Sequence, residues 1–207
     1  MHVIPILLAS YTLLNTVAAP VTYKGKSADK LTAAPGAGDA AVETLAIVPN
    51  SEFSSGTIEV DLAGEPSTAA GPGARGFVGI AFRVQPGGAT YDCFYVRPTN
   101  GRAEDQERRN HSTQYISHPR FNWQKLRQET PSRYESYVDI QPAEWIHLKI
   151  EVDGEKARLY VNNAAQPTLI VKDLKTGATA KGAVALWIDV TTVAHFANLK
   201  ITPSPLH

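Results

Sequence analysis

The chain has 207 residues, with 20 Lys and Arg against 20 Asp and Glu, one cysteine and 43% hydrophobic side chains. That length fits one domain with a self-sufficient core, because all-β folds run to about 250 residues as a unit. Zero formal net charge argues against a nucleic-acid partner, whose phosphates call for basic excess; the lone Cys93 excludes an intrachain disulfide and a cysteine-rich zinc site.

In chain order, Met1–Ala19 comes first. Its apolar run Val3–Ala9 and its Val17-Ala18-Ala19 end have the pattern of a signal peptide, without the basic flank such a leader carries. The competing reading makes Tyr11–Val17 a first strand, followed by a strand and turn at Thr22–Lys26. Export is therefore open, and the domain is taken as residues 1–207. No stretch reaches the roughly 18 to 20 apolar residues of a membrane span.

The remaining periodicity is two, the strand signal. Thr57–Leu62 alternates strictly, with Ile58, Val60 and Leu62 inward and Glu59 and Asp61 outward. Phe77–Val84 turns Val78, Ile80 and Phe82 inward and Phe77, Gly79, Ala81 and Arg83 outward. Tyr91–Val96 turns out Tyr91, Cys93 and Tyr95, with Arg97 following. Tyr134–Ile140 turns out Glu135, Tyr137 and Asp139. Strands Trp145–Val152 and Lys156–Val161 flank Asp153-Gly154, which suits a tight hairpin turn. Pro167–Val171, Ala183–Ile188 with Trp187 outward, and His195–Ile201 complete the series. Asn122–Glu129 is a short helix at the rim; Ala63–Ala74 and Pro98–Gln114 are loops. This pattern predicts an all-β sandwich or jelly roll of two antiparallel sheets.

The segments Phe53–Val60, Gly76–Arg83, Trp145–Gly154 with Leu159–Asn162, and Phe196–Ile201 resemble the concanavalin A-like lectin/glucanase superfamily over about residues 45–201. Within it the likeness is greatest to laminin-G-like modules and to 3-keto-disaccharide hydrolases. The resemblance implies a concanavalin A-like jelly roll with a sugar site on the concave sheet or its rim loops. Related jelly rolls often carry calcium, but no ligand set is identified here, and no other cofactor is implied.

Three constellations could carry chemistry. Glu59-Val60-Asp61 resembles the Glu-x-Asp signature of laminarinase-type glucanases, whose retaining mechanism needs two carboxylates about 5 Å apart. Ala63 stands where a third carboxylate would follow, and the alternative is a solvated strand face. The segment Arg97–Tyr115 gathers Arg97, Asn100, Arg102, Asp105, Gln106, Arg108 and His111. Guanidinium and amide groups bind vicinal hydroxyls, carboxylates or sulfates, or else pin the loop by internal ion pairs. His111 has an unperturbed pKa suited to proton transfer. The third set is aromatic: Tyr95, Tyr115, Trp123, Tyr137 and Trp187, with Trp187 as a platform for a sugar ring and Trp123 and Trp145 expected buried.

The sequence therefore predicts a carbohydrate or glycoside ligand. Glu59, Asp61, Arg83, Tyr95, Arg97, Glu135, Tyr137 and Trp187 would line a floor, and Asn100, Arg102, Asp105, Gln106, Arg108 and His111 a rim. Catalysis of the 3-keto-glycoside hydrolase or lyase type would use His111, Glu135, Glu59 or Asp61 as acid or base. The alternatives are a lectin-like binding module without turnover and a laminin-G-like protein-interaction module.

Overall fold

A computed structural model of the chain describes residues 10–37 and 43–204; the apolar run Val3–Ala9 lies outside them. The strands are β1 (Thr12–Leu14), β2 (Thr16–Tyr23), β3 (Lys26–Ala33), β4 (Thr44–Ile47), β5 (Gly56–Pro66), β6 (Val78–Val84) and β7 (Tyr91–Val96). Helix α1 (Gln106–Asn110), strand β8 (Thr113–His118), helix α2 (Trp123–Glu129) and β9 (Glu135–Ser136) follow. The chain continues through β10 (Ile146–Asp153), β11 (Lys156–Val161), β12 (Leu169–Val171), β13 (Ala183–Ile188) and β14 (Thr192–Pro203).

Among the described residues these strands form two antiparallel seven-stranded sheets. The first is ordered β1-β4-β13-β6-β7-β8-β9 and the second β12-β11-β10-β5-β14-β3-β2. The predicted all-β sandwich is what the chain forms. Residues 12–23 contribute β1 to the first sheet and β2 to the edge of the second. The core lies between the sheets and draws on the inward half of each alternating strand: Ile58, Val60 and Leu62 of β5, Leu148 and Ile150 of β10, Ile80 and Phe82 of β6, and Val184 and Leu186 of β13. Burial of that half removes apolar surface from water and fixes each strand's register, because a one-residue slip would turn the apolar side chains outward.

Several local features differ from the sequence reading, and β5 runs on through Ala63–Pro66, which was expected to open a loop. The hairpin loop is Gly154-Glu155, one residue later than Asp153-Gly154, since Asp153 pairs with Lys156; Gly154 supplies the positive φ of 56° that the turn needs. The expected strand Tyr134–Ile140 is ladder-paired only at Glu135–Ser136. Thr113 and Gln114, expected to end the loop Pro98–Gln114, instead begin a full strand, Thr113–His118, between β7 and β9. Finally, β6 bulges against β13, where the register shifts between Ala183 and Ala185.

That bulge corrects the placement of Arg83. With φ at +57°, Arg83 leaves the alternation and Val84 takes the outward position. The Arg83 side chain is fully buried. Its Nε and Nη2 donate to Ser54 O at 3.0 and 2.8 Å, Nη2 also to Gly154 O at 2.6 Å, and Nη1 to Gly177 O and Thr176 Oγ1 at 2.8 and 3.1 Å. Asp92 lies 3.8 Å away. Each donor that a buried guanidinium must satisfy is thus spent on the fold, and Arg83 is a tie between loops rather than a ligand contact.

The outer face of the first sheet carries a second apolar layer: Leu45, Ala81, Val84, Tyr91, Cys93, Tyr95, Ala185 and Trp187. Trp187 faces outward as expected but is buried, stacked on Tyr95 at 4.8 Å and 24°. Its Nε1 donates to Tyr91 Oη at 3.2 Å. Gly79 stands between the two rings in the ladder, and a Cβ there would come within 2.5 Å of Tyr95 Cβ. Gly79→Ala should therefore part the rings and cost about 1–3 kcal/mol, the usual range for overpacking. Urea denaturation with near-ultraviolet circular dichroism checks this, and an unchanged midpoint and aromatic spectrum would contradict it.

Candidate functional site

Cross-strand register lines up five positions on the outer face of the first sheet. Trp187 of β13 faces Gly79 of β6, which faces Tyr95 of β7, then Gln114 of β8, then Glu135 of β9. The apolar stack Trp187–Tyr95 therefore runs into a polar end made by Gln114 and Glu135. Arg97, one step beyond the end of β7, sits over that end.

Glu135 is the hub. Its side chain is 3% exposed and meets Arg127 through three contacts: Nη2 to Oε1 at 2.5 Å, and Nε to Oε1 and Oε2 at 3.2 and 3.1 Å. Arg97 Nη1 lies 3.8 Å from Oε1, and His111 Nδ1 2.7 Å from Oε2. The His111 approach is off-axis, so neither ring nitrogen has an aligned hydrogen-bond partner among the described residues. Arg97, itself buried, donates to His111 O, Tyr95 Oη and Gln114 Oε1 at 2.8, 3.0 and 3.1 Å.

Local sequence explains how these groups arrive. Asn122 caps α2, its side chain accepting from Lys125 N at 2.9 Å, and Leu126 buries the inner face of that short helix. Trp123 and Arg127, four apart, then stand on one face, with the guanidinium 4.7 Å from the indole centroid. Asp105 caps α1 by accepting from Arg108 N. Arg108 in turn donates through Nε to Asn100 Oδ1 at 2.9 Å, and Asn100 Nδ2 donates to His111 O at 3.2 Å.

Arg97, Asn100, Asp105, Arg108, His111, Trp123 and Arg127 line a cavity of about 400 Å³ with Gly73, Arg75, Phe77 and Glu107. Trp123 is 37% exposed at its mouth rather than buried as expected. Arg97 lies within 6 Å of the Phe77, Tyr95 and Trp123 rings. A larger hollow of about 600 Å³ beside β11 and β12 has no aromatic lining, so a sugar ring finds no platform there.

The predicted residues thus divide. Tyr95, Arg97, Asn100, Asp105, Arg108, His111 and Glu135 gather at or beneath this cavity. Arg102 is exposed and spent on Asp139, at 2.6 and 3.1 Å. Gln106 bonds Asn110, and Tyr137 accepts from Arg109 at 2.9 Å; all three stand outside the cavity lining. Tyr115 points into the core, donating to buried Asp92 at 2.7 Å. Arg127 pairs with Glu135, and Glu129 with Lys125 instead.

Glu59 and Asp61 do not join this floor, because β5 lies in the other sheet. Asp61 is held by Lys26, Asn198 and His147 at 2.7, 2.7 and 2.8 Å. Burial pushes its carboxyl up, but these three hydrogen bonds outweigh it and carry the pKa below the ordinary value, which suits no general acid. Glu59 lies 3.8 Å from Lys200. Among the described residues no group of three or more His, Cys, Asp or Glu gathers to hold a metal ion, and no helix is long and apolar enough to cross a membrane.

No family model matches the sequence, and no curated protein does. Solved structures do. The carbohydrate-binding module CBM66 from Bacillus subtilis aligns with a TM-score of 0.62 at 15% identity, over 93% of this chain and 95% of that one. The fold is that of the concanavalin A-like sandwiches. A Bacillus subtilis protein of unknown function with a galectin-like fold aligns at 0.56 and 11% identity, over 91% and 88%. A candidate glycosyl hydrolase from Parabacteroides distasonis aligns at 0.51 and 11%, over 94% and 88%. At these identities the likeness is one of fold, and none of the three is named as a laminin-G module or a 3-keto-disaccharide hydrolase.

His111 carries a testable pH signature. Burial lowers its pKa, Glu135 opposes this, and Arg127 and Arg97 add to the lowering. A histidine held neutral in the fold contributes stability above its unfolded pKa of about 6.5 and loses it as pH falls. The melting-temperature advantage of wild type over His111→Gln should therefore shrink from pH 7 to pH 5. An advantage that grows on acidification would mean an imidazolium paired with Glu135.

Proposed function

We propose that the chain binds carbohydrate in the cleft of Phe77, Arg97, Asn100, Arg108, Trp123 and Arg127, as a lectin-like module without turnover. One observation carries this choice: the carboxylate at the cleft, Glu135, is buried beneath two guanidinia and an imidazole rather than aimed into the cavity. A glycosidase of the two-carboxylate kind needs an acid and a second carboxylate flanking the scissile bond. Glu59 and Asp61 stand on the other sheet, and of the two carboxylates that line the cavity, Asp105 and Glu107, both are exposed on α1 and its cap and Asp105 is committed to capping.

The cleft has what sugar binding requires. Trp123 offers an exposed ring face for the apolar side of a pyranose, and fixed guanidinium and amide groups donate to hydroxyls. The sandwich is also one that a carbohydrate-binding module shares over nearly its whole length. A second reading, a 3-keto-glycoside hydrolase or lyase, draws on a different observation: His111 lines the cavity and is held below its ordinary pKa, as a base near neutrality would be.

Calorimetry against neutral and acidic oligosaccharides and 3-keto-glycosides, with product detection in parallel, separates the two. A ligand should bind without product. Trp123→Ala should weaken it about tenfold, since ring stacking contributes on the order of 1 kcal/mol or more, while the chain still folds because the ring lies outside the core and is 37% exposed. Turnover abolished by His111→Ala with binding retained would replace the module by the enzyme.

A further inference from the structure

We infer that the ligand of this cleft is an acidic sugar, one bearing a carboxylate or a sulfate ester, received by Arg75 and Arg108. The inference rests on the carbohydrate reading above and names the chemical class that the same site would take.

Four guanidinia, those of Arg75, Arg97, Arg108 and Arg127, line the same cavity of about 400 Å³. Glu135 answers two of them, Arg127 at 2.5 Å and Arg97 at 3.8 Å. The other two meet only neutral acceptors. Arg75 Nη1 donates to Pro72 O and Ala74 O at 2.6 and 2.9 Å. Arg108 donates through Nε to Asn100 Oδ1 at 2.9 Å and through Nη2 to Thr99 Oγ1 and O at 3.0 and 3.3 Å. Among the described residues neither has a carboxylate within 4 Å, whereas Arg102, Arg127 and Arg133 each do. Arg75 Nε and Nη2 and Arg108 Nη1 have no hydrogen-bond acceptor among the described residues, while Arg75 is anchored through Nη1 alone and Arg108 through Nε and Nη2.

An anchored guanidinium with an open edge is the geometry that receives a planar carboxylate or a sulfate through paired hydrogen bonds. A neutral sugar would use those edges but leave the charges unanswered. Burial is the first cause of a lowered Arg75 pKa, and the charges of Arg108 and Arg97 lower it further; that second part is a repulsion an anion would relieve. Asp105 and Glu107 also line the cavity, but both are exposed, and Asp105 is committed to capping α1. The chain as a whole is neutral, so the grouping is local rather than a consequence of general basicity.

The test is calorimetry of the full chain with oligogalacturonate, its carboxyl-reduced counterpart, oligoglucuronate, a sulfated galactan oligosaccharide and neutral glucans, at low and high salt. An acidic probe should bind at least about tenfold tighter than its neutral counterpart, the size expected of one charge-assisted pair, and should weaken with salt. Preference for the carboxylates or for the sulfated galactan would each support the inference and say which anion is read. Arg75→Gln should cut the acidic-over-neutral ratio severalfold; its contacts are with its own loop, so the fold does not depend on it. Neutral probes bound as tightly as acidic ones, without salt dependence, would overturn the acidic assignment and leave the carbohydrate reading standing. Binding of none of the probes would overturn both.

Discussion

A buried carboxylate that must be answered by positive charge organises this end of the molecule. Glu135 arrives on the shortest strand of the first sheet and meets Arg127 from α2, Arg97 from the end of β7 and His111 from the turn after α1. Each partner belongs to a different segment, so the network fixes the loops that build the cleft as well as the cleft itself. An ion shielded from water is tolerable only when its partners are close and well hydrogen-bonded, and Arg127 supplies that with a forked approach to both carboxylate oxygens. The same contacts leave Arg127 and the indole of Trp123 partly open to solvent over the buried Arg97. Binding groups held by a shell beneath them keep their geometry without a ligand present, which lowers the ordering cost of binding.

The sheet supplies the rigid floor for that network. Tyr95 and Trp187 close over Gly79, so aromatic surface that could have been an open platform becomes a buried layer, and the polar groups collect at its end. The bulge at Arg83 works in the same direction. By drawing that guanidinium inward against Ser54, Gly154 and Gly177, it removes a cation from the outer face and uses it to tie the loop after β4, the β10–β11 turn and the segment before β13. Arg83 and Arg97, both expected on the floor, therefore do unrelated jobs: one closes the sandwich and the other lines the cleft.

Much of the fold was legible in the sequence because burial enforces period two. Ile58, Val60 and Leu62, or Leu148 and Ile150, must face one way, and this predicted the strands, the hairpin and the sandwich. Strand order is not written in periodicity, and this is why Glu59 and Asp61 were assigned to a floor they do not share: alternation puts them outward but is silent on which sheet β5 joins. Arg83 was misplaced because a bulge costs one residue of register and leaves no local signature beyond a tolerated positive φ. In the charged segment, chemistry marked Arg97, Asn100, Arg108 and His111 well. The strand Thr113–His118 within it was hidden by its polar start, Thr113-Gln114. Arg75 gave no signal because it directly follows a bland Pro/Gly-rich stretch, and Trp123, expected buried, stands instead on a seven-residue helix whose buried residue is Leu126.

The account gives Glu135 a positioning role, and chemical denaturation of Glu135→Gln tests that most directly. The substitution keeps the shape and removes the charge, leaving the buried Arg97 guanidinium and the inner edge of Arg127 without an anion. Stability should fall by about 2–4 kcal/mol, somewhat under the roughly 3–5 kcal/mol of breaking a fully buried pair, because the Arg127 side chain is 33% exposed. An unfolding free energy within about 0.5 kcal/mol of wild type, the scale of an ordinary surface substitution, would show that the cleft does not depend on this carboxylate and would contradict the account.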